Sequence, residues 1–242
     1  MPIKDSELIL NQDGSVYHLN LKPADIADTV IFVGDQDRVA KISKHFDTIE
    51  IKKQKREFKT HTGTYRGIRL TVISTGIGPD DIDIVMNELD ALVNIDLNTR
   101  EIKPNHTTLN IVRIGTSGSL QADIPVDSWV MSKYAIGLDN MLRSYCIDEI
   151  SEKDIEDAFI KQTNWDLRKG RPYVIQGSEM LAKRLDSDSI YKGFTGTAGG
   201  FYGPQGRVLR MPIQDPKLNS KMDQFEYKGI KMTNLEMETG AI

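Results

Sequence analysis

Four short apolar, β-branched runs, each beside glycine, limit what this chain can fold into. Residues 29–33 lead into Gly34-Asp35, 70–74 into Thr75-Gly76-Ile77-Gly78, and 108–114 into Gly115-Thr116-Ser117-Gly118. A fourth run, 208–211, follows a glycine-rich stretch instead. Continuous apolar runs of this kind suit strands buried on both faces. Helical spacing follows two of the turns. Val39, Ile42 and Phe46 share one face of residues 38–46, and Ile82, Val85, Leu89 and Leu92 share one face of residues 81–93. Strand, glycine turn and helix in that order predict an α/β fold with at least a partly parallel sheet.

Asp80, Asp81 and Asp83 stand where the second helix begins. Capping and macrodipole support explain them better than a metal site does. Residues 139–170 read as a charged, helix-favouring segment with a solvated acidic face, and 212–229 as a polar connection with short elements. No repeat or linker divides the chain, so a single domain spanning 1–242 is expected.

Composition narrows the class. Lys and Arg number 31 against 35 Asp and Glu, a formal charge of −4, which argues against a nucleic-acid partner. With 39% hydrophobic and 27% charged residues, the chain is too apolar to be disordered. The single cysteine, Cys146, excludes an intrachain disulfide and cysteine-based zinc or iron–sulfur sites. No apolar run approaches the ~20 residues that span a membrane. Residues 1–14 are polar, without a signal-peptide core, so a reducing cytoplasm is the expected compartment.

Chemistry concentrates in a few places. Ligands of open α/β sheets bind beyond the carboxyl ends of strands, where glycine lets backbone N–H groups approach an anion. Arg38 follows the first glycine turn and Arg113 stands near the end of the third run. Arginine with a threonine hydroxyl and backbone amides suits phosphate; a salt bridge to Asp35 or Asp37 is the alternative. Residues 193–206 hold six glycines, followed by Arg207. There Phe201 or Tyr202 can stack on a ring, while Gln205 and Arg207 complement a carbonyl/N–H/carbonyl edge such as uracil's; an ordinary mobile loop is the alternative. Near the end, Asn234-Leu235-Glu236-Met237-Glu238 carries two carboxylates. These are acceptors for vicinal sugar hydroxyls or, alternatively, an exposed charged helix start.

Seven ordered motifs, VYHLNL, VGDQDR, REF, STGIG, RIGTSGSLQ, GFYGPQGR and NLEME, together resemble the nucleoside phosphorylase family, most closely the uridine phosphorylases. The resemblance runs from about Val16 to the last residue. It implies a central mixed β-sheet, partly closed into a distorted barrel and flanked by helices. It also implies a homo-oligomer built from dimers, commonly a hexamer, that cleaves a pyrimidine nucleoside with phosphate. Phosphate binding falls on Gly34, Arg38, Arg113 and Thr116, with Arg56 supplied by a neighbouring subunit. Ribose binding falls on Glu236, Met237 and Glu238, with His18 reaching the 5′-hydroxyl across the dimer interface. Base binding falls on Ser117, Gly118, Phe201, Gln205 and Arg207. Arg113, Gln205, Arg207 and Glu238 carry the catalytic roles. No cofactor is required, phosphate being a co-substrate; Glu57 and Ser74 match a structural potassium pattern of some members.

Three departures stand out. Pro79-Asp80-Asp81 follow STGIG where the family usually has glycine and small residues. Ser117 replaces a common threonine. Relatives continue past the EME motif by a strand and a long helix, so a C-terminally incomplete domain is expected. The competing readings are a purine phosphorylase or a nucleosidase of the same fold, and a non-catalytic nucleoside-binding or oligomer-forming fragment.

Overall fold

A computed structural model describes all 242 residues. The chain divides into two compact units, Met1–Gly115 and Thr116–Ile242.

The first unit begins its sheet with β1 (Thr29–Val33), continues through α1 (Gln36–Ser43), β2 (Thr48–Lys55), β3 (Phe58–Tyr65), β4 (Ile68–Ser74) and α2 (Pro79–Asn94), and ends with β5 (Ile95–Asp96), β6 (Glu101–Ile102) and β7 (Asn110–Arg113). Five strands form a mixed sheet in the order β2-β3-β4-β1-β7. β1 lies inside it, parallel to both β4 and β7, with Val30 opposite Thr71 and Ile111. That position explains its unbroken apolar sequence, because Val30, Phe32 and Val33 are all buried. The helical face expected for 38–46 packs as the spacing requires: buried Val39 meets Val33 and Val72, with Ile42 and Phe46 beside them. α2 buries Ile82, Val85, Leu89 and Leu92.

The second unit comprises β8 (Gly118–Ser119), β9 (Trp129–Gly137), α3 (Lys153–Thr163), β10 (Tyr173–Gln176), α4 (Glu179–Leu185), β11 (Ile190–Thr197), α5 (Leu218–Asp223), β12 (Glu226–Tyr227) and β13 (Ile230–Glu236). Its sheet runs β10-β9-β11-β13-β12, with β8 also on β13. β9, β11 and β13 are mutually parallel. The core is aromatic: Phe225 stands edge-on to Phe159 and Phe194, 5.1 and 5.2 Å between ring centres. Ile136, Val174, Met222 and Leu235 join the same cluster. Register slips on both sides of β11, on either side of Phe194. Lys133 of β9 and Thr233 of β13 are each the extra residue of a bulge. Beyond it Thr195 faces Asn234 and Thr197 faces Glu236.

The structure departs from the sequence-based expectations in three places. Neither sheet closes on itself into a barrel; each is an open ribbon with two edges. In the first sheet the edge strand β2 carries Lys52, Lys53 and Lys55, the charged composition that discourages further pairing. Residues 208–211 form bends, not a strand, and Val208, Leu209 and Met211 are exposed; they have no sheet neighbour to satisfy a strand's backbone. Residues 234–238 are not an exposed helix start, since Glu236 closes β13 and both carboxylates are buried. No helix is long and apolar enough to cross a membrane.

Candidate active site

In the first unit, β1 delivers Gly34 and Asp35 to the start of α1. Asp35 caps that helix, accepting from the Arg38 N–H at 3.0 Å, and its other oxygen pairs with the Arg38 Nε at 2.9 Å. The Asp35 ion pair considered for Arg38 is thus present, and the guanidinium stands over Gly34, where only a bare backbone lies beneath it. Arg113 ends β7, its guanidinium folded back over Gly115. Arg56 occupies the two-residue turn between β2 and β3 in the left-handed conformation (φ 54°), and its carbonyl accepts from Gln36 Nε2 at 2.6 Å. Gln36, at the first position of α1, thus ties the Arg56 turn to the helix that carries Arg38.

His18 is held by a residue that local sequence gave no reason to single out. Glu88 of α2 accepts from the His18 and Leu19 backbone N–H groups at 2.8 Å each, and one of its oxygens lies 2.6 Å from His18 Nδ1. A carboxylate accepts only, so Nδ1 carries the proton and Nε2 faces outward.

The aspartates at the start of α2 do not act as ordinary caps. Gly78 is the N-cap and no side chain caps it. Asp81 instead reaches back to the Ile77 N–H and lies against Glu57. Burial first, then the neighbouring Glu57 charge, pushes the Asp81 carboxyl up to about 6. The expected potassium ligands fit poorly here. Ser74 is fully buried, donating to the Glu57 carbonyl at 2.6 Å and accepting from the Lys59 N–H at 2.8 Å, while the Glu57 side chain faces Asp81.

In the second unit the base-side residues do come together. The 3-10 turn Gly203–Gln205 aims the buried Gln205 inward, and Gly206 leaves it with φ 72°. Arg207 donates to the Gln205 Oε1 and, at 2.7 Å, to the Phe201 carbonyl; its guanidinium lies 3.9 Å from the Phe201 ring centre. Gln205 Nε2 donates to the Glu236 carbonyl at 3.3 Å. Gly118 presents its bare Cα to Arg207, where a Cβ would stand 3.4 Å from the guanidinium. The glycine-rich segment is thus a fixed scaffold, and half-exposed Phe201 carries the arginine on its face. Thr116, Ser117 and Gly118 form an exposed loop into β8, and Tyr202 is exposed beside Phe201.

Glu236 is committed to the fold. One carboxylate oxygen accepts from Thr197 Oγ1 at 2.6 Å, the other from the Glu238 and Thr239 N–H groups at 2.8 Å each. Thr197 in turn accepts from the Gly240 N–H at 2.7 Å. This clamp fixes the turn that carries half-buried Met237 and buried Glu238. Asn234 is a second residue sequence reasoning passed over, although it opens the NLEME motif.

The sequence pattern of the Phosphorylase superfamily matches residues 28–242. The chain belongs to that superfamily. A uridine phosphorylase of Thermococcus kodakarensis is 28% identical over 238 residues, which cover 96% of this chain and 72% of that protein. A DeoD-type purine nucleoside phosphorylase of Listeria welshimeri is 32% identical over 178 residues, 72% of this chain and 70% of that one. Among solved structures, a Trypanosoma brucei nucleoside phosphorylase described as showing uridine phosphorylase activity superposes with a TM-score of 0.86 at 30% identity, covering 97% of this chain and 84% of its own. A Toxoplasma gondii purine nucleoside phosphorylase shares the fold, at TM-score 0.63 and 18% identity, over 96% of this chain and 76% of its own. Like these superfamily relatives the chain is α/β, with mixed sheets and flanking helices.

Proposed function

We propose that this chain catalyses phosphorolysis of a pyrimidine nucleoside, converting uridine and phosphate to uracil and ribose 1-phosphate. The observation that carries the reading is the Gln205–Arg207 pair braced on Phe201, which offers directional donors to a uracil carbonyl. The 30% identical trypanosomal structure with uridine phosphorylase activity supports it. In the reaction a phosphate oxygen bonds to C1′ as the C1′–N1 bond breaks. The bonding pair leaves with the base and spreads onto its carbonyl oxygens. The protein need only position the reactants and stabilise that charge. Arg207, with Gln205 fixing its direction, meets the charge on uracil. Gly34, Arg38, Arg113 and Thr116 serve phosphate, Arg38 exchanging its Asp35 partner for the anion, with Arg56 coming from a second copy. Glu238 and Met237 hold the ribose hydroxyls. His18, its Nε2 facing outward, accepts the 5′-hydroxyl of a neighbouring copy's nucleoside. The working form is therefore a dimer-based homo-oligomer, up to a hexamer, in the cytoplasm, with no cofactor.

Uridine cleavage measured with and without phosphate tests the reading. Strict phosphate dependence is expected; turnover that persists unchanged without phosphate would overturn it. The DeoD-type relatives favour one second reading, so inosine and adenosine belong in the same assay. Preferential cleavage of either would make the chain a purine phosphorylase.

A further inference from the structure

A file of polar side chains crosses the second unit's sheet inside its core. Ser132 Oγ of β9 lies 2.6 Å from Thr195 Oγ1 of β11, and Thr195 donates to Asn234 Oδ1 of β13 at 2.9 Å. Thr233 Oγ1 stands 2.9 Å from the same oxygen. Asn234 Nδ2 then donates to Ser117 Oγ at 2.9 Å. Thr195, Thr233 and Asn234 are buried, whereas Ser117 is exposed in the loop before β8. Buried polar groups are retained when every partner is satisfied, and such a chain then holds one arrangement.

The direction of the file matters. Thr195 has one proton and gives it to Asn234, so Ser132 must donate to Thr195. In the structure the Asn234 carbonyl takes the Thr195 proton, the Thr233 hydroxyl is shared between that carbonyl and the Phe194 carbonyl at 3.1 Å, and the Asn234 NH₂ is turned toward Ser117. Ser117 therefore accepts from Asn234, and its own O–H is left to point out of the sheet. We propose that Asn234 is a positioning residue that orients the Ser117 hydroxyl as a donor to an acceptor oxygen of the bound nucleoside. This inference rests on the nucleoside-cleaving reading above and adds a determinant of substrate affinity to it.

Asn234→Asp tests the direction, because a carboxylate still accepts from Thr195 and Thr233 but cannot donate to Ser117. Ser117 would then turn its proton inward. In the phosphate-dependent uridine assay, Asn234→Asp and Ser117→Ala are each expected to raise KM about tenfold, with kcat within about threefold of wild type. Ser117→Thr, which keeps the hydroxyl, is expected to restore the wild-type KM. In the Ser117→Ala background, Asn234→Asp is expected to add less than about twofold. A merely structural role, or repulsion by the new charge, would persist in that background. Thr195→Val, which removes one donor holding the amide, is expected to raise KM about threefold and to do nothing once Ser117 is alanine; it serves if Asn234→Asp does not fold. An unchanged KM in Asn234→Asp, or independent effects in the double variant, overturns the inference while leaving the functional reading in place. A wild-type protein inert toward uridine and phosphate overturns both.

Discussion

Replacing Glu236 by leucine removes one acceptor from three donors at once: the Thr197 hydroxyl and the backbone N–H groups of Glu238 and Thr239. Each buried donor left without a partner costs roughly 1–3 kcal/mol. The site is largely closed, although the Thr239 N–H keeps some access to water, so about 3–4 kcal/mol is expected in total. Glu236→Gln behaves differently. Its carbonyl can take both N–H groups and its NH₂ can donate to Thr197, which already accepts from the Gly240 N–H; the three contacts survive without charge assistance, but the Thr197 proton loses this acceptor. Neutral bonds are weaker than charged ones by roughly 0.5–1 kcal/mol each, which over three contacts gives a loss of about 1.5–3 kcal/mol. Both tryptophans, Trp129 and Trp165, belong to the second unit, so urea unfolding followed by intrinsic fluorescence reports the part of the chain that is perturbed. The expected order is wild type, Glu236→Gln, Glu236→Leu, with midpoints falling at constant slope. In thermal melts, the leucine variant should lose about 6–16 °C at 2–4 °C per kcal/mol for a chain of this size. A leucine variant within about 1 kcal/mol of wild type, or a glutamine variant as damaged as the leucine one, would refute the clamp.

Gln205→Ala and Arg207→Ala should each lower kcat/KM for uridine by about a hundredfold or more, since removing one preorganised donor costs about 3–4 kcal/mol in the transition state; intact turnover in both would remove the base-recognition assignment. Gly137→Ala should destabilise the second unit by at least 1–3 kcal/mol, because its Cβ would fall 1.9 Å from the ring of Tyr173, which faces Gly137 on β10; a wild-type urea midpoint would show that the ring moves aside freely. Burial, and then the nearby Lys59 and Lys52, hold His61 below the usual histidine value of 6.5, and its Nδ1 lies 2.7 Å from Ser43 Oγ. The unfolded chain therefore binds the proton more readily, and this part of the stability is lost as pH falls below about 6.5. His61→Gln should flatten that segment of the stability–pH curve, and an unaltered slope would assign the dependence to another group.

In the first unit β1, β4, β7 and both helices were legible because each was written in one strong signal, whereas the polar hairpin β2–β3 left no apolar run to read. The β1 boundaries match the apolar run, and Val39, Ile42 and Phe46 pack as their spacing requires. The 208–211 run misled because hydrophobicity was its whole case; a strand also needs a backbone partner, and none lies there. Gln205 and Arg207, proposed to meet the base, stood out as residue types, but their mutual contact and the stacking on Phe201 depend on the turn at Gly206, which only the fold supplies. Glu88 left no local trace, since a glutamate on an amphipathic helix looks like any solvated charge until its partner, seventy positions away, is known. The exposed-helix alternative for the terminal carboxylates could not be discarded from sequence, because the partner that buries Glu236, Thr197, lies on another strand.

The two bulges facing β11, on β9 and β13, separate that strand into two independently indexed halves. Before it, residues such as Tyr191 and Lys192 are exposed. After it, Thr195 and Thr197 stand opposite Asn234 and Glu236 in an alternation of donor and acceptor. The offset works like a vernier, bringing two hydroxyls to two acceptors that regular pairing would have set one residue away. Drift in the sequence of the outer half can therefore proceed without dragging the inner columns out of step. A one-residue deletion at Thr233 would erase the offset and let regular pairing set Thr195 against Asn234, whereas a deletion at Leu235 would draw Glu236 away from Thr197.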